Sequence, residues 1–149
     1  MKISSIRELE KITDKIKKIL SPGDVVFLYG EIGVGKTTFA RLLINSFENE
    51  KKLKKSEVLS PTFNIVFEYE IKELTIKHFD LYRLKNNNDI KNIGLFENLE
   101  ESITLIEWPE LIKDKPQNRL DLFFEYAEDY NERSLIIKTN GRLKIHEFG

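Results

Sequence analysis

The chain has no cysteine among its 149 residues, which removes disulfide frameworks, thiolate metal sites and cysteine nucleophiles and fits a reducing cytosol. It also lacks a long apolar run. Met1 to Leu20 mixes lysine and glutamate through its apolar positions, so it reads as neither a signal nor a transit peptide, and no export is expected. Charge imbalance is missing too: the net charge is -1, which argues against a globally basic nucleic-acid binder and leaves any RNA contact local or indirect. There is no internal repeat, and the only biased tract is the lysine cluster at Lys51, Lys52, Lys54 and Lys55. With 40% hydrophobic and 33% charged residues, neither disorder nor a membrane span is expected. The length suits one domain, residues 1–149, with no room for a separate substrate domain.

What is present centres on Gly30-Glu31-Ile32-Gly33-Val34-Gly35-Lys36-Thr37, which fits the phosphate-cradling pattern G-x-x-x-x-G-K-[ST] without a gap. Its glycines permit positive φ and turn amides inward, Lys36 places an ammonium on the outer phosphates, and Thr37 offers a hydroxyl to Mg2+. The flanks agree with the motif. Val25-Val26-Phe27-Leu28-Tyr29 reads as a strand buried on both faces. Phe39, Leu42, Leu43 and Phe47 then recur at helical spacing, predicting a helix from about Lys36 to Phe47 whose N-terminal amides face the phosphates.

Upstream, Ser5 and Glu8 read as a capping box before an amphipathic helix carrying Ile6, Leu9, Ile12, Ile16, Ile19 and Leu20. Ser21 to Asp24 ends it. Glu48 to Glu57 reads as a solvated connection whose lysines could alternatively meet RNA phosphates. Ile65 to Tyr69 and Leu74 to Asp80 form a β-hairpin around Lys72-Glu73. Ile90 to Leu99 suggests a short helix interrupted at Gly94, and Ile103 to Ile106 a parallel strand beside Val25 to Tyr29. Leu120 to Tyr126, Ser134 to Thr139 and Leu143 to Phe148 alternate as an antiparallel meander. The expected fold is α/β: a P-loop NTPase-like sheet with parallel core strands, an inserted β-hairpin and a C-terminal antiparallel meander, flanked by helices.

Phosphate chemistry also needs carboxylates that hold a metal and position the nucleophile. Glu107 follows the apolar strand at the end where such sheets present ligand-facing residues. Asp80 closes its own strand and shares that edge if the strand joins the sheet. A helix cap or a surface charge is the competing reading for both. Thr62, in a loop after the phosphate-loop helix, could sense the terminal phosphate or simply turn the chain. His78 reads as a packed or hydrogen-bonded core histidine rather than a proton shuttle, and His146 carries no assigned function. Trp108, the only tryptophan, reads as core packing beside the acid-bearing strand, with stacking near a nucleotide as the alternative.

Taken together, GEIGVGKTT at Gly30 to Thr38, SPTF at Ser60 to Phe63, HFDLYRL at His78 to Leu84 and IEWPE at Ile106 to Glu110 resemble the bacterial TsaE (YjeE) family. The resemblance runs from the first helix through Glu110 and is loose over the last strands. It implies a small ATPase in the formation of N6-threonylcarbamoyladenosine in tRNA. The implied nucleotide-binding residues are Gly30, Glu31, Ile32, Gly33, Val34, Gly35, Lys36, Thr37 and Thr38. Lys36, Asp80 and Glu107 would be catalytic, Thr37, Asp80 and Glu107 would hold Mg2+, and Thr62 would belong to a switch-like loop. The implied cofactors are ATP and Mg2+. The implied partners are the TsaB and TsaD proteins, with tRNA engaged indirectly in the cytoplasm and no membrane. The family's frequent GDLGAGKTT is GEIGVGKTT here, which puts a branched side chain, Val34, in the loop. Arg133 matches a C-terminal family arginine and receives no role. The rival from another class is a small-molecule kinase, which would need an arginine-rich lid; only Arg41 and Arg83 lie between Lys36 and Glu107.

Overall fold

The computed structural model describes residues 1–144. In chain order the elements are β1 (Lys2–Ile3), α1 (Ile6–Ile19), β2 (Val25–Tyr29), α2 (Lys36–Glu50), β3 (Val66–Ile71), β4 (Leu74–Asp80), α3 (Asn87–Asn92), β5 (Ser102–Glu107), β6 (Arg119–Tyr126) and β7 (Arg133–Asn140). Short 3-10 turns lie at Leu99–Glu101 and Pro109–Leu111. Among the described residues no helix is long and apolar enough to cross a membrane.

All seven strands form one sheet in the order β1-β7-β6-β2-β5-β4-β3. The inner strands β6, β2, β5 and β4 run parallel, while β7 and β3 are antiparallel to their neighbours. The alternation of β2 explains its unbroken apolar run. Val26 and Leu28 join the core under α1 and α2, whereas Val25 and Phe27 join a second core with Phe79, Leu81 and Ile106 on the other face. A strand covered on both sides has no polar face to offer. Its C-terminal end, where the phosphate loop begins, is therefore anchored in rigid packing. The hairpin is an integral part of the sheet, because β4 pairs with β5 in a register that sets Asp80 beside Glu107. The two acids thus share one edge.

Several local expectations are corrected. The helix predicted to end at Phe47 continues to Glu50, because Glu48 is buried and its carboxylate accepts from the amide of Ser56 at 2.9 Å and from its hydroxyl at 2.5 Å. This ties down the lysine-bearing connection, whose four lysines stay exposed. The capping box is shifted by one residue: Ser5 Oγ accepts from the Glu8 amide at 3.2 Å, but the Glu8 carboxylate reaches back to the amide of Ser4 at 2.9 Å. Ile65 is not in the hairpin strand; it sits at φ 71° and donates its amide to the Pro61 carbonyl at 2.5 Å, closing a tight turn. A branched residue in that region is costly and marks a turn held by its surroundings.

At the C-terminal end, β6 and β7 form the expected antiparallel pair. The third strand of the meander, Leu143 to Phe148, falls partly outside the described residues, and Leu143 and Lys144 are not in a strand. The outer edge of β7 is paired at Arg133 and Ser134 with β1, a strand the sequence reading did not anticipate.

Candidate functional site

The loop from Gly30 to Gly35 leaves β2 and enters α2 through three glycines at φ 146°, 79° and 126° (Gly30, Gly33 and Gly35), values closed to other residues at low cost. At Gly30 space is closed as well: a Cβ would meet the Phe124 carbonyl oxygen at 2.7 Å. Val34 is 1% exposed and packs into the core under α1 and α2, so its branched side chain stays out of the cleft. Gly35 caps α2, and the first residues of that helix present their free amides to the cleft.

A cleft of about 160 Å³ opens over this helix end. Lys36, Thr37, Thr38, Thr62, Asp80 and Glu107 all line it, together with Ile32, Gly33 and Gly35 of the loop. Thr37 Oγ1 donates to the Glu107 carboxylate, 3.1 Å from Oε1 and 3.0 Å from Oε2. Thr62 Oγ1 donates to Asp80 Oδ2 at 2.6 Å, and the other Asp80 oxygen accepts from the Tyr82 amide at 2.9 Å. Residues separated by up to 70 positions in sequence are thereby joined in two hydroxyl–carboxylate pairs. Gly30, Glu31 and Val34 contribute to the loop without lining this cleft; Gly30 and Glu31 border a second cleft shared with Trp108.

Lys36 is buried, and its ammonium touches the Gly30 carbonyl and lies 3.6 Å from the centre of the Trp108 ring. Burial pushes the Lys36 pKa below its ordinary value, opposed by the negative charges of Glu107, Asp80 and Glu110. An ammonium held over an indole face with weakened hydration is ready to exchange the carbonyl for an anion. Trp108 thus occupies a middle position between the two sequence readings. It is half-buried and stacked at a tilt against Tyr82, and it also meets the cation of the phosphate loop.

The donor set is hard oxygen: one hydroxyl and two carboxylates. Among the described residues no three His, Cys, Asp or Glu side chains cluster to hold a metal by themselves. The oxygen donors of Thr37, Glu107 and Asp80 match the chemistry of Mg2+, which characteristically takes one or two carboxylates and completes its shell with phosphate oxygens and water. They do not suit a metal that needs an all-protein cage.

One residue was undervalued by sequence reasoning. His78 is fully buried, as expected of a core histidine, but its Nε2 lies 2.6 Å from Glu107 Oε2, and its Nδ1 has no partner among the described residues. Its single hydrogen bond is spent on the central acid. The signal was present: His78 and Asp80 are two apart in a strand and so share a face. What sequence could not give was the neighbouring strand's register.

The fold and loop define a P-loop α/β domain, with a strand, a glycine-rich turn and a helix N-terminus arranged around one cleft. Within that class the chain belongs to the TsaE family: the family model described as "Threonylcarbamoyl adenosine biosynthesis protein TsaE" matches residues 3–135. A relative from Rickettsia conorii, named tRNA threonylcarbamoyladenosine biosynthesis protein TsaE, is 38% identical over 145 residues, 97% of this chain and 81% of that one. A relative of the same name from Bacillus subtilis is 34% identical over 137 residues, 91% of this chain and 80% of its own. The crystal structure of Bacillus subtilis YdiB superposes with a TM-score of 0.72 at 29% identity, covering 95% of this chain and 84% of that one.

Proposed function

We propose that this protein binds ATP with Mg2+ at the Gly30 to Thr38 loop, hydrolyses it, and acts in the cytoplasm as an accessory switch on the TsaB–TsaD complex. The product of that complex would be N6-threonylcarbamoyladenosine in tRNA, with tRNA engaged indirectly. Family membership supports the pathway, since the relatives carry that biosynthetic name. The observation that carries the ATPase reading is the Thr37–Glu107 contact at 3.0 Å, at the mouth of a glycine loop and one strand from Asp80.

In this reading the loop amides and the Lys36 ammonium hold the phosphate chain, and Thr37 and the two acids hold the metal. Bound Mg2+ would neutralise charge developing on the phosphoryl oxygens. Glu107 orients the attacking water, and His78 fixes the rotation of the Glu107 carboxylate. Thr62 exchanges its bond to Asp80 for the terminal phosphate region. Because Asp80 also holds the Tyr82 amide, that exchange reshapes the surface around Tyr82 and Phe63, which is exposed, and thereby favours one docked state over another.

The kinase alternative gains no support from the cleft. Among the described residues no arginine lines it, and Arg83 is engaged with the Phe63 carbonyl at 3.1 Å. Incubation with ATP and candidate acceptors, followed by a TsaB–TsaD pull-down with and without ATP, tests the proposal. Phosphate release and nucleotide-dependent capture are expected; stoichiometric phosphorylated acceptor would overturn it.

A further inference from the structure

The outer rim of the phosphate loop is gripped by the last hairpin, through contacts that the cleft chemistry does not use. Tyr126, the last residue of β6, donates its hydroxyl to the Ile32 carbonyl at 3.2 Å. Arg133, the first residue of β7, donates Nε–H to the Val34 carbonyl at 3.1 Å. The same guanidinium bonds the carbonyls of Tyr130 and Glu132, which ties the grip to the β6–β7 turn. It also lies 4.3 Å from the centre of the Tyr126 ring, so the two side chains form one unit.

A trans peptide plane points its C=O and its N–H in opposite directions. The Ile32 carbonyl shares its plane with the Gly33 amide, and the Val34 carbonyl shares its plane with the Gly35 amide. Holding both carbonyls outward therefore aims these amides toward the cleft that Gly33 and Gly35 line. The two glycines stand at φ 79° and 126°, and glycine gives a peptide plane little resistance to flipping. A flipped plane would face its carbonyl oxygen toward the phosphates and repel them.

We infer that Tyr126 and Arg133 are positioning residues that hold the phosphate loop in its anion-binding form, so that affinity for the phosphate chain is set from the β6–β7 hairpin. The inference rests on the proposed nucleotide reading of the loop. Because the hairpin turn is exposed at Tyr130 and Asn131, it offers a route by which events at the surface reach the loop without touching the nucleotide.

The test compares Tyr126→Phe, which removes only a hydroxyl, with Arg133→Lys, which keeps the charge but loses the Nε–H geometry. ADP affinity, turnover at saturating ATP and melting temperature are measured on each. Each variant is expected to bind ADP about fivefold more weakly, the scale of one lost hydrogen bond. Saturated turnover should stay within about twofold of wild type on the same scale, and the Tyr126→Phe melting temperature should fall by no more than about 4 °C, the scale of one lost hydrogen bond. Wild-type affinity in Tyr126→Phe would overturn the inference, as would an equal fall in saturated turnover; wild-type affinity in Arg133→Lys would overturn it for Arg133, whose part would then be a charge contact that lysine can supply. Failure of the wild-type protein to bind ADP at all would defeat the nucleotide reading itself, a separate result.

Discussion

Replacing Glu107 by glutamine changes charge while nearly preserving shape, which makes it the sharpest perturbation of the cleft. Glu107 is 3% exposed and meets Thr37 Oγ1 at 3.0 and 3.1 Å and His78 Nε2 at 2.6 Å. An amide oxygen can still accept one of these bonds, so the cleft keeps its walls. What is lost is the anion to which the proposed function assigns the orienting of water and a share of the metal. Removing one such preorganised group costs about 10²-fold in turnover or more, roughly 2.7 kcal/mol of barrier. Binding moves differently. A carboxylate beside a triphosphate repels it, so its removal leaves nucleotide affinity intact or slightly improved. The removal also takes away the carboxylate that most strongly opposes the downward push of burial on the Lys36 pKa, with Asp80 and Glu110 remaining. Phosphate release at saturating ATP and ADP titration, run on the same preparation, measure the two effects. Turnover within about threefold of wild type, far short of the loss a preorganised group carries, would remove Glu107 from the proposed role. Loss of binding together with turnover would show that the side chain merely supports the cleft.

Two further outcomes follow from the same contacts. His78→Phe fills the buried space but removes the imidazole partner of Glu107 Oε2, leaving that oxygen the Thr37 hydroxyl at 3.0 Å; stability should fall by about 1–3 kcal/mol and turnover by roughly tenfold, with His78→Gln recovering part of both. Denaturant melts and phosphate release check this, and an unchanged rate would confine His78 to packing. Thr62→Val removes the hydroxyl that bonds Asp80 at 2.6 Å; ADP affinity should hold while ATP-dependent capture of TsaB–TsaD falls, and equal capture would exclude a switch role for Thr62.

The sequence was most legible where one local rule acts alone. The apolar, β-rich run from Val25 to Tyr29 reads as a strand covered on both faces, and the glycine spacing from Gly30 to Gly35 marks the turn into α2. Asp80 and Glu107 were nameable as strand-end acids, but their pairing across β4 and β5 came from register, which no single strand encodes. The same limit hid the His78–Glu107 bond and the grip of Tyr126 and Arg133 on loop carbonyls up to 99 residues away. β1 is two residues long, too short for any period to emerge. The end of α2 was misplaced because its last turn is held by Glu48 folding back onto Ser56, a tertiary contact within a stretch that looks like solvated loop.

The central claim is that a phosphate chain is held beside Lys36, and one fluorophore reports there: Trp108, the only tryptophan, lies 3.6 Å from the Lys36 ammonium. Titrating the protein with Mg-ATP while following tryptophan emission tests the claim directly, with Lys36→Ala as the control. A saturable change in the wild type that is lost in Lys36→Ala is the predicted result. A flat trace in the wild type, or the same saturable change in both proteins, would contradict it.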